Sequence, residues 1–369
     1  MNINRAIISG GGTGGHIFPA IAIANRIKKE NPDALILFIG AEGKMEMEKV
    51  PAAGYKIVGL PIRGFQRKFS LSNFLLPFKI ISSMWKARKI IKDFNPDIVV
   101  GVGGYASGPT LKTATMLNIP SVIQEQNSFA GKTNKLLGSK VSKVCVAYEN
   151  MEQFFPKEKI VFTGNPVREE VVTIQGKKEE AFAFFGLAPE KKVILVVGGS
   201  LGARTLNNCL KNKLRLLQEN NIQIVWQCGK YQYEDLKRDL KNTTKEGVVL
   251  LDFISRMDLA YAVADVVVSR AGAIAVSELC LVGKPVILIP SPNVAEDHQT
   301  KNALALVERE AAIMIKDVNG QEKMVPAMLS LISDENKQLL LAKNIKKMGV
   351  KNADAKIVEV INEVISAKC

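Results

Sequence analysis

His16 closes the run Ser9-Gly10-Gly11-Gly12-Thr13-Gly14-Gly15-His16, and it is one of only two histidines in the chain. An imidazole titrates near neutral pH, so a histidine at the mouth of a glycine loop suits a general base. Glycines leave backbone N–H groups open to a ligand, and the start of a following helix adds the positive end of its dipole. The loop therefore suits an anion such as a diphosphate. Read literally, Gly10-x-Gly12-x-x-Gly15 also fits a dinucleotide fingerprint, with Glu42 after the next strand available to a ribose. That reading, a nicotinamide oxidoreductase, has no account of a second glycine loop at Gly198-Gly199-Ser200-Leu201-Gly202-Ala203. Nor does it explain Arg270-Ala271-Gly272-Ala273, where another helix is expected to begin. Glu278, five residues on from Ala273, leans back toward that helix start and can accept hydrogen bonds from a ribose diol.

Three more polar loops follow apolar runs. They are Val102-Gly103-Gly104-Tyr105-Ala106-Ser107-Gly108, Gln124-Glu125-Gln126-Asn127, and Pro292-Asn293-Val294-Ala295-Glu296-Asp297-His298-Gln299. At the carboxyl end of parallel strands, such loops favour contact with a substrate over simple turning. His298 suits a base, a cap or a ligand contact equally. Asp-x-Asp is absent, and two histidines cannot build a His/Cys metal cluster. No metal site and no metal cofactor are expected. A Gly-x-Ser-x-Gly elbow and a P-loop lysine motif are absent too.

The elements that must position these residues alternate between strand and helix, which predicts α/β architecture with doubly wound parallel sheets. Strands are expected at Ile3–Ser9, Ala34–Ile39, Lys56–Leu60, Ile98–Val102, Ser121–Gln124 and Lys143–Val146. A second set is expected at Val193–Val197, Gln223–Gln227, Val248–Leu251, Val266–Ser269, Val286–Ile289 and Ala312–Ile315. Each set opens with strand, glycine loop and helix. Two Rossmann-like domains facing a cleft are therefore predicted, an N-terminal one over 1–165 and a C-terminal one over 166–349. Asn165-Pro166-Val167-Arg168 marks the boundary, with a charged, less ordered stretch after it to about Pro189. The amphipathic helix near 350–369 is a candidate to pack back on the first domain.

The net charge of +14 is uneven: residues 1–165 hold 22 Lys and Arg against 11 Asp and Glu, and the rest holds 28 against 25. Residues 49–92 contain no acid at all. Bases alternate there with apolar residues, including Arg63, Phe65, Arg67, Lys68, Phe69, Leu71, Phe74, Leu75, Phe78 and Trp85. An anionic membrane surface attracts such a stretch. Phe69, Leu71, Phe74, Leu75, Phe78 and Trp85 are the membrane-contact candidates. No nucleic-acid motif is present, so nucleic acid is not expected as a partner. The chain reads without a transmembrane run or a secretory leader. Its five scattered cysteines read as reduced thiols in the core.

Taken in order, the motifs Gly11–His16, Gly101–Tyr105, Glu125–Asn127, Thr163–Arg168, Gly198–Ala203, Arg270–Ala273 with Ser277-Glu278, and Asp297–Gln299 with Asn302-Ala303 resemble one family. It is the MurG family, the UDP-N-acetylglucosamine:lipid I N-acetylglucosaminyltransferases of bacterial peptidoglycan synthesis. The resemblance implies the two-domain GT-B architecture and an inverting hexosyltransferase. The enzyme would move N-acetylglucosamine from UDP-GlcNAc to the MurNAc 4-hydroxyl of undecaprenyl-pyrophosphoryl-MurNAc-pentapeptide (lipid I), giving lipid II and UDP. It also implies the donor on the second domain, the acceptor on the first, and a peripheral place on the cytoplasmic face of the inner membrane. A role in cell-wall biogenesis, shape and division would follow, with cell-wall synthesis proteins as partners.

By that pattern Thr13, Gly14 and Gly15 line the diphosphates, and Asn127 and Gln299 contact the donor sugar. Arg168, Ser200 and the backbone at Ile254 contact the nucleotide. Arg270 and the run Ala273, Ile274, Ala275, Val276, Ser277 and Glu278 hold diphosphate and ribose. Gly104, Tyr105, Glu125 and Asn134 are acceptor-side candidates. Where the family commonly has a histidine before Glu-Gln-Asn this chain has Gln124, which leaves His16 as the main candidate base. Two alternatives remain open: a UDP-GlcNAc 2-epimerase with the same architecture, and a non-catalytic basic membrane-binding protein.

Overall fold

The computed structural model describes residues 3–63, 76–199, 202–241 and 247–368. The chain divides into two compact units, Met1–Val167 with Lys351–Cys369, and Arg168–Val350.

The first unit is built on a seven-stranded sheet in the order β3-β2-β1-β4-β5-β6-β7. Its strands are β1 (Arg5–Ser9), β2 (Leu35–Ala41), β3 (Lys56–Leu60), β4 (Ile98–Gly101), β5 (Ser121–Glu125), β6 (Lys143–Val146) and β7 (Ile160–Phe162), all paired in parallel. Helices cover both faces, so the central strands β1 and β4 are apolar on both sides: Ile7, Ile8, Val99 and Val100 are fully buried. The helix Gly14–Glu30 lays Ile17, Ala20, Ile23, Ala24 and Ile27 on one face of the sheet. The terminal helix Ala353–Ser366 adds Ile357, Ile361 and Val364 to the same core. β7 has no signal in the sequence, because three residues between charged segments are too few to show a period.

The second unit repeats the plan with six strands in the order β10-β9-β8-β11-β12-β13. They are β8 (Lys192–Val197), β9 (Ile222–Gln227), β10 (Val248–Leu251), β11 (Val266–Ser269), β12 (Val286–Leu288) and β13 (Ile313–Met314). The stretch after Arg168 is more regular than its charge suggests. It forms the short helices Glu169–Val172 and Lys178–Phe185, and the latter buries Ala181, Phe182 and Phe185.

In each sheet the order reverses once, between β1 and β4 and between β8 and β11. Loops leaving the carboxyl ends of those strands diverge there and leave a crevice for a ligand. All four glycine-bearing loops singled out above leave these four strands.

Candidate active site

In the first unit the β1 and β4 loops interlock backbone to backbone. Gly104 has φ +88°, and a Cβ on it would run into the Gly11 carbonyl, so only glycine fits. The His16 ring packs over Gly103: a Cβ there would lie 2.7 Å from His16 Cδ2. His16 Nδ1 is 3.0 Å from the Gly11 carbonyl oxygen and 3.4 Å from Thr13 Oγ1. Thr13 and Gly15 are exposed, and Thr13 makes no side-chain cap to the helix Gly14–Glu30, which has no acid in its first turn. Among the described residues no side chain caps its first N–H groups, and with the helix dipole this end suits an anion. Tyr105 is 49% exposed and borders the Gly12 position.

The β5 loop is tied into the same end of the sheet by a buried amide network. Gln126 Nε2 donates to the Val102 carbonyl at 2.8 Å and also bonds the Gln124 side chain. Gln124 Nε2 donates to Asn165 Oδ1 at 2.9 Å, and Asn165 Nδ2 donates to the Gln126 carbonyl at 3.0 Å. Gln124 is thus a fully buried structural amide, held by Asn165 and Gln126.

Glu125 and Asn134, expected to meet the acceptor, have another task. Glu125 Oε1 accepts from the backbone and side chain of Asn127, at 3.0 and 3.2 Å. Its Oε2 accepts from Gly131 N–H at 3.0 Å and Asn134 Nδ2 at 2.8 Å. At 1% and 3% exposure, Glu125 and Asn134 pin the 125–131 loop to the helix Lys132–Gly138 instead of presenting groups to solvent. They fix the position of Asn127.

In the second unit Gly272 precedes the ten-residue helix Ala273–Val282 with extended backbone, no side-chain cap and no acid in the first turn. The amides of Ala273, Ile274 and Ala275 stand before the helical ladder begins, so this end suits a pyrophosphate. Val276 is different: its N–H donates to the Gly272 carbonyl at 2.9 Å and its side chain is core, so it serves packing. Ile254 is also core at 4% exposure, and only its backbone could reach a ligand. Ser277 Oγ turns back to the Ala273 carbonyl at 3.0 Å.

Glu278 is partly accessible, yet protein crowds its carboxyl. Loss of solvation dominates and pushes it up to about 7, against the opposing pull of the Tyr261 hydrogen bond and the Arg168 charge. Arg168, at the edge of this site, also lies 3.9 Å from Glu170.

Arg270, expected in the ligand set, is engaged within the protein. Its Nη1 donates to the carbonyls of Ile289 and Pro290, at 2.9 and 3.2 Å, and pairs with Asp317. The guanidinium ties the end of β11 to the β12 loop. Gln299 Oε1 accepts from Ser291 N–H at 2.8 Å, so a hydroxyl ligand would meet the Nε2 end of that amide. Asn302, fully buried, donates to the Ala271 carbonyl at 3.2 Å and braces the loop before the helix. Ser200 lies outside the described residues.

Of the membrane-contact candidates, Phe69, Leu71, Phe74 and Leu75 lie outside the described residues. Phe78 and Trp85 lie on the helix Leu76–Phe94 and are 71% and 72% exposed. Ile81, which sequence reading passed over, is 55% exposed between them at i+3. Arg88, Lys89 and Lys92 continue along exposed positions of the same helix. Among the described residues, no helix is long and apolar enough to cross a membrane, and no group of three or more His, Cys, Asp or Glu could hold a metal ion. Cys145, Cys209, Cys228 and Cys280 are buried, and burial pushes the Cys145 and Cys280 thiols up to about 12.

Two doubly wound α/β units, each with a glycine loop where its sheet reverses, make up the GT-B architecture, and the family matches make it that of a glycosyltransferase. Residues 6–146 match the glycosyltransferase family 28 N-terminal domain, and residues 193–359 its C-terminal domain. A protein of Parabacteroides distasonis is 57% identical over 368 residues, covering 100% of both chains. Its name is UDP-N-acetylglucosamine--N-acetylmuramyl-(pentapeptide) pyrophosphoryl-undecaprenol N-acetylglucosamine transferase. The crystal structure of Acinetobacter baumannii MurG superposes with a TM-score of 0.78 at 28% identity, over 98% of this chain and 99% of that one. A UDP-GlcNAc 2-epimerase from Neisseria meningitidis, at TM-score 0.65 and 15% identity over 98% and 100% of the two chains, shares the fold alone. The chain belongs to the UDP-N-acetylglucosamine--N-acetylmuramyl-(pentapeptide) pyrophosphoryl-undecaprenol N-acetylglucosamine transferase family.

Proposed function

We propose that the chain transfers N-acetylglucosamine from UDP-GlcNAc to the MurNAc 4-hydroxyl of lipid I, with inversion, in peptidoglycan synthesis. The observation that carries this reading is the uncapped start of the helix at Ala273 with Glu278 on the next turn. Those are the two groups a nucleoside diphosphate needs: amides for the pyrophosphate and a carboxyl for the ribose.

In the reaction, a bond forms from the acceptor O4 to the sugar C1 as the bond from C1 to the diphosphate oxygen breaks. The electron pair leaves with UDP, and the amides of Ala273–Ala275 stabilise the charge that develops. The acceptor proton passes to His16 Nε2, since a carbonyl can only accept and Nδ1 therefore carries the proton toward Gly11. Thr13, Gly14 and Gly15 offer the second helix start to the acceptor diphosphate, and Asn127 and Gln299 meet the donor sugar. No resident cofactor enters this scheme.

The exposed apolar face of Phe78, Ile81 and Trp85, followed by bases, fits an anionic membrane surface. That face supports a peripheral place at a membrane, which for a lipid-linked acceptor reads as the cytoplasmic face of the inner membrane.

The test is an assay of purified protein with UDP-GlcNAc and a short-chain lipid I. Release of UDP that requires the acceptor, with formation of the disaccharide lipid, is the expected result. Conversion of UDP-GlcNAc without an acceptor would overturn the proposal in favour of an epimerase.

A further inference from the structure

Glu46 is fully buried at the start of the helix Glu46–Ala52. Its Oε1 accepts from Ala41 N–H at 3.0 Å, and its Oε2 from Gly12 N–H at 2.8 Å. Two glycines make room for it: a Cβ on Gly11 or on Gly40 would collide with the Glu46 side chain. A buried carboxylate is costly unless its hydrogen bonds are met, so its place beside a ligand loop asks for a cause beyond packing.

The cause lies in the peptide it grips. Gly12 N–H and Gly11 C=O are the two ends of one peptide plane. The carbonyl end accepts from His16 Nδ1 at 3.0 Å. One rigid unit thus joins the carboxylate to the imidazole. Hydrogen bonds in series polarise one another. A carboxylate drawing on Gly12 N–H raises the negative charge on Gly11 O, and that oxygen then holds the Nδ1 proton more firmly. Thr13 Oγ1, at 3.4 Å from the same nitrogen, is a weaker alternative.

We infer that Glu46 is a positioning residue for His16, acting through the Gly11–Gly12 peptide to fix the imidazole with its proton on Nδ1 and its lone pair on Nε2. The inference deepens the reading of His16 as the base and rests on it. The logic is that of a carboxylate orienting a catalytic histidine, here with a peptide unit between the two.

With two histidines in the chain, ¹⁵N-histidine-labelled full-length protein gives two imidazole signal sets. A His298→Asn variant assigns them. Above the imidazole pKa, wild-type His16 is expected to show one tautomer, protonated at Nδ1. The Nε2-protonated form in the wild type would overturn the inference without any variant being needed. In Glu46→Gln one donor of the carboxamide must face a backbone N–H. A mixture of His16 tautomers is expected, with kcat down roughly 10–100-fold, as for other groups that orient a histidine, and the KM for UDP-GlcNAc unchanged. Glu46→Asp, which keeps the charge, should recover the Nδ1-protonated form and part of the rate. An unaltered His16 tautomer in folded Glu46→Gln protein would sink the inference. Unaltered kcat in His16→Ala would instead remove the base reading, while the tautomer result still judges the link to Glu46.

Discussion

Tyr261 donates its hydroxyl to Glu278 Oε2 at 3.0 Å from a position 3% exposed to solvent. A phenol is one of the few groups that can meet a desolvated carboxyl in either of its charge states. The carboxyl sits at about 7, so near neutral pH both states are populated.

Ribose hydroxyls donate most strongly to the ionised carboxylate. UDP-GlcNAc affinity should therefore rise as pH increases through about 7 and then level off. The sugar nucleotide's diphosphate is fully ionised across this range, so the slope belongs to the protein. Calorimetric titration at about pH 5.5 and about pH 8.5 measures it. Glu278→Gln should bind more weakly and flatten the profile, and a slope retained in that variant would refute the assignment. Folding responds in the opposite sense. Between the ordinary carboxyl value of 4.5 and about 7, the folded chain keeps a proton that the unfolded chain releases. The contribution of Glu278 to stability consequently falls as pH rises through that window.

His16→Ala should lower kcat by about 10²–10⁴-fold, the usual worth of a positioned general base. Binding of UDP-GlcNAc should largely persist, since the groups proposed to hold the nucleotide, the amides of Ala273–Ala275 and Glu278, lie in the other unit. Steady-state kinetics with lipid I, beside calorimetry with the donor, separates the two effects.

Serine at Phe78, Ile81 and Trp85 together should reduce co-sedimentation with vesicles rich in anionic lipid. All three side chains are exposed, so thermal stability should hardly change. The bases that follow add a salt-sensitive part to the attraction, which should weaken between low and physiological ionic strength. Vesicle binding equal to wild type would rule this face out.

Gly104→Ala should be costly although it adds one methyl. The left-handed backbone and the overlap with the Gly11 carbonyl act together, so the loss should exceed about 1 kcal/mol. A lowered melting temperature with reduced transferase activity is the expected pair of observations.

Much of the architecture was legible because buried parallel strands are written as apolar runs such as Ile98–Gly101 and Val193–Val197, each closed by glycines. The loops that follow them could be placed at strand ends by that alone. What the sequence concealed were tasks set by distant partners. Glu125 and Arg270 look like ligand groups in a linear reading, yet Asn134 in one case and Asp317 in the other engage them within the protein. Glu46 drew no notice, since nothing in Lys44-Met45-Glu46 signals a carboxylate that reaches back to Gly12. Val276 shows the converse: a residue inside a recognised motif can be there for packing.

The helix Ala353–Ser366 belongs to the core that begins with Ile3 and Ile8. The second unit is one continuous stretch, whereas the first draws on both sides of it in the sequence. Without residues 351–369 one face of the first sheet is left open, with Ile17 and Ile23 lacking apolar neighbours from Ile357 and Ile361. A chain cut at residue 350 would lose that face of the first unit while leaving the second unit whole.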